Sequence, residues 1–153
     1  MLPLKLENLR ALRDKVGQEI VVSDWLRIDQ ERIDQFAEAT EDRQWIHVDV
    51  ERARRESPYH APVAHGFLTL SMLSRLFNDS VTFGTTRMGL NYGFNRLRFT
   101  GPVTAGSRLR AHFTLIELEE IEGGVQTTWS VTMECEGSEK PCLVAEWITR
   151  RYE

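Results

Sequence analysis

An α+β fold is what this sequence predicts, on three observations. From Phe67 to Phe77 the apolar residues Phe67, Leu68, Leu70, Met72, Leu73, Leu76 and Phe77 surround a helix instead of forming one stripe. A helix apolar on all sides belongs inside a core. Further on, Leu109, Ala111, Phe113 and Leu115 alternate with Arg108, Arg110, His112 and Thr114. The same period of two returns in Val125, Thr127, Trp129, Val131, Met133 and Cys135, set against Gln126, Thr128, Ser130, Thr132 and Glu134. That pattern marks a sheet with one buried face. A long buried helix followed by antiparallel strands implies a sheet wrapped round its own helix.

The elements follow in order. Leu6, Leu9 and Leu12 recur at helical spacing, and Gly17 is a plausible stop. Glu19 to Ile28 is apolar and β-branched and reads as one strand. Asp29 caps a short helix that carries Ile33, Phe36 and Ala37 on one face. Thr40 to Val50 is polar and aperiodic, yet holds Trp45, Ile46 and His47; a loop with buried apolar groups is a candidate site. Glu51 to Glu56 predicts a brief helix, broken by Ser57-Pro58. The central helix follows Pro62-Val63-Ala64-His65-Gly66. Val81 to Phe99 carries strand signals interrupted by Gly84, Gly89 and Gly93, and Gly101-Pro102 ends them. Glu122-Gly123-Gly124 is a hairpin turn, and Leu143, Ala145 and Trp147 begin a last strand.

A chain of 153 residues suits one domain, residues 1–153, able to bury its core without metals or disulfides. Its hydrophobic and charged fractions, 41% and 27%, belong to the soluble globular class. A net charge of -4 supplies no global field for nucleic acid. Arginines cluster locally at Arg52, Arg54 and Arg55 and at Arg96 and Arg98, as solvated faces or as anion contacts. Cys135 and Cys142 read as two reduced cysteines in adjacent strands in preference to a hairpin disulfide, and neither has a neighbouring histidine that would make it a nucleophile. The start, Met1-Leu-Pro-Leu-Lys5, lacks a signal-peptide pattern, and no apolar run is long enough for a bilayer. A cytoplasmic location without membrane contact is expected.

Two constellations carry chemistry. In Asp42-Arg-Gln-Trp-Ile-His-Val-Asp49, a carboxylate and an imidazole lie five residues apart in an irregular segment. Adding water to a conjugated thioester needs a base for the water and an acid for the α-carbon, and an Asp/His pair sharing one water supplies both. Trp45 and Ile46 beside the pair would tune it by partial burial. The same residues also suit an ordinary loop with a capping Asp and a hydrogen-bonded His. The second constellation is His65-Gly66 at the start of the apolar helix. Unpaired N–H groups and the positive helix end could stabilise an enolate there, and Gly66 lets another molecule's atoms approach. Gly66 could equally serve packing, and His65 a structural hydrogen bond.

Together these segments resemble the MaoC-like dehydratase family, which includes (R)-specific enoyl-CoA hydratases. Asp-x4-His is followed nineteen residues on by the glycine of Ala64-His65-Gly66, leading an apolar helix. The Asp42–Asp49 segment and Gly89-Leu-Asn-Tyr-Gly-Phe-Asn-Arg-Leu-Arg-Phe99 are most similar to the nodulation protein N-like branch, and Pro102-Val103 with Gly106-Ser107 matches the strand-turn element that follows. The likeness runs from about Val16 to Arg151. It implies a hotdog fold, a homodimer, and hydration of trans-2-enoyl-CoA or an acyl-carrier-protein thioester to the (R)-3-hydroxyacyl thioester, with no metal and no cofactor beyond the CoA of the substrate. By motif position Asp42 and His47 match the catalytic pair, Gly66 the N–H that binds the thioester carbonyl, and Ser74 a serine that supports the site. Gln44-Trp45 stands where many members have Asn-Pro; Gln44 could replace the amide, while Trp45 could narrow the acyl pocket. His65, Asn91 and Asn95 complete the expected substrate-binding set. The rivals are a hotdog acyl-CoA thioesterase, against which the Asp/His pair argues, and a non-catalytic acyl-thioester binder.

Overall fold

The computed structural model describes residues 2–153, with Met1 outside the described residues. In chain order it contains β1 (Leu4–Leu6), a 3-10 helix (Leu9–Lys15), β2 (Glu19–Val22), β3 (Leu26–Arg27), α1 (Gln30–Thr40), α2 (Trp45–Val48), α3 (Val50–Glu56), α4 (Gly66–Ser80), β4 (Val81–Phe83), β5 (Met88–Phe99), β6 (Arg108–Ile121), β7 (Gly124–Cys135) and β8 (Leu143–Tyr152). The main sheet runs β2-β6-β7-β8-β5, with β3 also on β6; β1 and β4 form a separate parallel pair. Pairing throughout the main sheet is antiparallel.

Long β6 and β7 form because their alternation is regular and their turn is correct. Gly123 has φ +78°, and a Cβ on Gly124 would lie 1.9 Å from the Arg151 carbonyl oxygen, so no side chain fits there. The inward residues Leu109, Ala111, Phe113 and Leu115 of β6 and Trp129, Val131 and Met133 of β7 are fully buried, as their period predicts. α4 lies on that face. Its Phe77 meets Phe113, Trp129 and Trp147 at 5.1, 4.8 and 5.8 Å, edge to face, the arrangement that ring quadrupoles favour. The Trp129 indole N–H is satisfied by Thr127 Oγ1 at 2.9 Å.

Four sequence expectations are modified. The strand expected over Glu19–Ile28 breaks at Ser23–Trp25. Val22 pairs His112 and Leu26 pairs Leu109, so the break holds one residue more than the strand opposite, and the Ser23 hydroxyl accepts the Ala111 N–H at 2.9 Å in place of a ladder bond. Leu6 lies in β1, and helical structure begins only at Leu9, capped by Asn8. β5 runs uninterrupted through Gly89 and Gly93, absorbing irregularity in two register shifts; only Gly84 breaks the chain. Finally, α4 is covered on one side only. Leu68, Leu73, Leu76 and Phe77 are buried, but Phe67 is 66% exposed and Ser71 and Arg75 face solvent. The sheet of one chain reaches only one side of the helix. β5 is correspondingly an edge strand and exposes Met88, Leu90, Tyr92 and Phe99. Among the described residues no helix is long and apolar enough to cross a membrane.

Candidate functional site

α1 ends at Thr40, and Glu41 takes a left-handed conformation (φ 62°) that turns the chain into the segment holding Asp42. Asp42 is exposed at this corner. One-turn α2 then directs His47 inward, where it is buried. The Gln30 amide donates to the His47 carbonyl at 2.7 Å and ties α1 to α2. His47 Nδ1 lies 2.6 Å from the Val63 carbonyl oxygen. A carbonyl only accepts, so Nδ1 carries the proton and Nε2 keeps a lone pair. Burial holds the His47 pKa below its ordinary value; the Val63 hydrogen bond opposes the shift, His65 adds to it, and Asp42 pulls the other way.

His65 caps α4 and is 3% exposed. Its ring stacks on His47 with centroids 3.8 Å apart and planes at 24°, and Phe36 packs on it at 4.9 Å. Its Nε2–H donates to the main-chain oxygen of Asp42 at 2.9 Å, while Nδ1 is buried without a partner. His47 borders a hollow of about 480 Å³ whose walls include Ile46, Tyr59, Val63, Gly66, Thr69, Phe99, Thr100, Pro102 and Cys142. Gly66 brings the first turn of α4 to that hollow, with N–H groups that have no intrahelical acceptor and the positive end of the helix dipole. The chemistry available is therefore a neutral imidazole at an apolar hollow, a carboxylate close to that imidazole, and an anion-stabilising helix end on the hollow's wall.

Asp42, His47 and His65 each offer a donor atom within 4.8 Å of the others. They fit a metal poorly. His47 Nδ1 and His65 Nε2 are engaged by carbonyls. The remaining lone pairs lie in stacked ring planes only 24° apart, so they do not converge on one ion without ring rotation.

The other expected residues divide into groups. Gln44 is exposed at the start of α2, where its N–H approaches Asp42 Oδ1 at 3.4 Å. Trp45 lies under the Arg52 guanidinium at 4.3 Å, and Ile46, not Trp45, lines the hollow. Ser74 and Asn91 meet each other at 3.3 Å beside a second hollow of about 260 Å³, walled also by Leu70, Leu73, Phe94 and Trp147. Ser74 is eight residues beyond Gly66, about 12 Å along the helix axis. Asn95 is exposed on β5 and borders neither of these two hollows. The arginines of α3 are held by its own glutamates, Arg52 by Glu56 at 2.9 Å and Arg54 by Glu51 at 3.1 Å. Both cysteines are free and buried. Burial pushes the Cys142 thiol up to about 12, which leaves it inert as a nucleophile. Tyr59, Phe99, Thr100 and Cys142 were not anticipated as site walls. Gly101-Pro102 signalled only a turn, and no local pattern foretells that the Thr100 N–H bonds the Cys142 carbonyl at 3.0 Å and draws the start of β8 to the hollow.

The family model described as MaoC like domain matches residues 12–135. This chain belongs to the MaoC-like dehydratase family. Within it, the chain is 46% identical over 145 residues to 3-hydroxyacyl-thioester dehydratase Z of Mycobacterium tuberculosis, covering 94% of this chain and 95% of that protein. It is equally 46% identical to nodulation protein N of Rhizobium leguminosarum bv. viciae, covering 93% and 89%. Among solved structures, the MaoC-like dehydratase from Rhodospirillum rubrum superposes with a TM-score of 0.74 at 21% identity, over 93% of this chain and 96% of that one. At that identity the likeness speaks for the fold alone. The fold is the hotdog, an antiparallel sheet round a central helix, and the matched residues of this MaoC-like chain include Asp42, His47 and Gly66.

Proposed function

We propose that this chain hydrates trans-2-enoyl-CoA to (R)-3-hydroxyacyl-CoA, and catalyses the reverse dehydration, with Asp42 and His47 activating one water. The observation that carries this reading is the closeness of Asp42 to a neutral His47, whose ring borders the apolar hollow that the N-terminus of α4 also walls. The 3-hydroxyacyl-thioester dehydratase named among its relatives supports the substrate class. The lone pair of His47 Nε2 takes a proton from water as the water oxygen bonds the β-carbon. Asp42 accepts a hydrogen bond from the water's second O–H, which stays on the oxygen, and favours the imidazolium that forms. Electron density moves to the thioester carbonyl oxygen, which the Gly66 N–H stabilises as an enolate. The imidazolium then returns the same proton to the α-carbon, so one group serves as base and acid. The apolar walls receive the acyl chain.

The edge strand β5 and the uncovered side of α4 support a homodimer as the working form, since an unpaired edge with exposed apolar residues calls for a partner. Crotonyl-CoA tests the activity: the conjugated thioester absorbance should fall without release of free thiol, and the product should give no NADH with an (S)-specific dehydrogenase. Thiol release with the double bond intact would mark a thioesterase; binding without turnover would mark an acyl-thioester carrier.

A further inference from the structure

We infer that His65 is a positioning residue that sets the geometry between Asp42 and His47, and does not itself contact substrate. This rests on the proposed roles of that pair. Three elements meet on its ring. Nε2–H holds the Asp42 main chain at 2.9 Å, the ring face lies 3.8 Å from the His47 ring, and Phe36 of α1 packs on it at 4.9 Å. His65 is itself fixed as the residue that opens α4.

The two reacting groups need this support in different ways. Asp42 sits on an exposed corner whose own N–H reaches only Thr40 Oγ1, at 3.4 Å, so the His65 bond is the short restraint on its backbone. His47 is pinned at one end by Val63, which leaves rotation about that hydrogen bond; the stacked face of His65 restricts the ring plane and therefore the direction of Nε2. His65 is 3% exposed, with Nε2 bonded to the Asp42 oxygen and its face stacked on His47, so both are already engaged within the protein. Its Nδ1, buried with no partner, fits a ring retained for what its other nitrogen and its face do.

Two substitutions separate these contributions. His65→Gln keeps an N–H donor near the Nε2 position and removes the ring. His65→Phe keeps a stacking ring and removes the donor. Misplacement of a reacting group by about 1 Å costs on the order of 100-fold. His65→Phe should accordingly lower kcat by about 10- to 100-fold with little change in KM, and His65→Gln, which keeps the Asp42 bond but loses the face against His47, should recover part of that loss. If Phe does not fold, His65→Asn serves, because its amide cannot reach the Asp42 oxygen. The second readout needs no activity. The groups acting on the His47 charge are Asp42 from the α1–α2 segment and His65 from α4. Loss of the His65 imidazole should raise the His47 titration midpoint, followed by NMR of the ring protons, in both variants.

Normal kcat in His65→Phe, or a His65→Gln no better than His65→Phe, would overturn the inference. So would an unchanged His47 titration together with reduced melting temperatures, the signature of a residue that only packs. If the wild-type protein fails to hydrate crotonyl-CoA, the proposed reaction falls, while the His47 titration still decides whether His65 governs the imidazole.

Discussion

Gly66→Ala separates a catalytic from a packing role for the start of α4. A Cβ at this position would lie 3.2 Å from three carbons of the Phe99 ring. Carbon pairs settle near 3.5 to 4.0 Å, so the ring must retreat by a few tenths of an ångström. Phe99 is 46% exposed and has room to yield. Ala is also the better helix former, by less at this first helical position than the roughly 0.8–1.0 kcal/mol of a helix interior, which partly offsets the contact. Net stability should therefore change by less than about 1 kcal/mol, a melting shift within about 4 °C for a chain of this size. Activity should respond differently. The methyl stands at the wall where the thioester oxygen must approach the Gly66 N–H. An oxyanion donor is worth roughly 10²–10³ in turnover, and displacing the substrate forfeits part of that. Melting temperature and crotonyl-CoA hydration are to be measured on one preparation. Gly66→Ala in a Phe99→Leu background relieves the ring contact and controls for distortion of the wall. A destabilised Gly66→Ala protein with normal activity per folded molecule would remove Gly66 from the chemistry.

The remaining expectations concern the pair, the pH response and assembly. Asp42→Asn and His47→Gln should each lower turnover by about 10²- to 10⁴-fold with the fold retained; because both act on one water, the double variant should be far less than multiplicatively worse, and near wild-type rates in either single variant would refute the mechanism. Burial holds the His47 pKa below its ordinary 6.5, so neutral His47 persists into mildly acidic solution. The acid limb of kcat/KM should fall below pH 6.5, and a limb above that value would contradict the assignment. The stability sign agrees: a histidine depressed on folding contributes fully above its unfolded pKa, and that contribution fades as pH drops through the lower folded value, an acid-side loss that His47→Gln should diminish in urea titrations. Light scattering on a sizing column should return twice the 17.7 kDa chain mass, and a monomer would refute the edge-strand reasoning.

Where the sequence spoke with a strict period, the fold was legible. β6 and β7 place each alternating residue on the expected face because a single buried face fixes register. The Asp29 cap and the Ile33 and Ala37 contacts of α1 follow equally directly. The expectation for α4 went too far in one respect: Phe67 and Leu70 made the helix look enclosed, but periodicity records which residues are apolar and not which chain covers them. The Ser23 break in β2–β3 was illegible because it depends on a hydroxyl reaching a strand whose identity appears only in three dimensions.

The site divides along the same line. Asp42 and His47 were singled out by residue type and spacing, and the short α2 helix brings their side chains near one another, with His65 beside them. His65 was legible as a histidine suited to a structural hydrogen bond, but its partner was not, since a bond from its ring to the Asp42 main chain leaves no trace in the identity of residue 42's side chain. The opposite wall was not legible at all. Phe99 and Cys142 reach the hollow through the Phe99–Leu143 register of β5 and β8, which is set by the whole length of two strands. A wall built in this way is specified by shape and burial, which many residue types satisfy. On the proposed reaction, the local motif speaks to the chemistry, while the acyl group accepted would depend on walls such as Ile46, Tyr59 and Phe99, whose positions only the assembled fold defines.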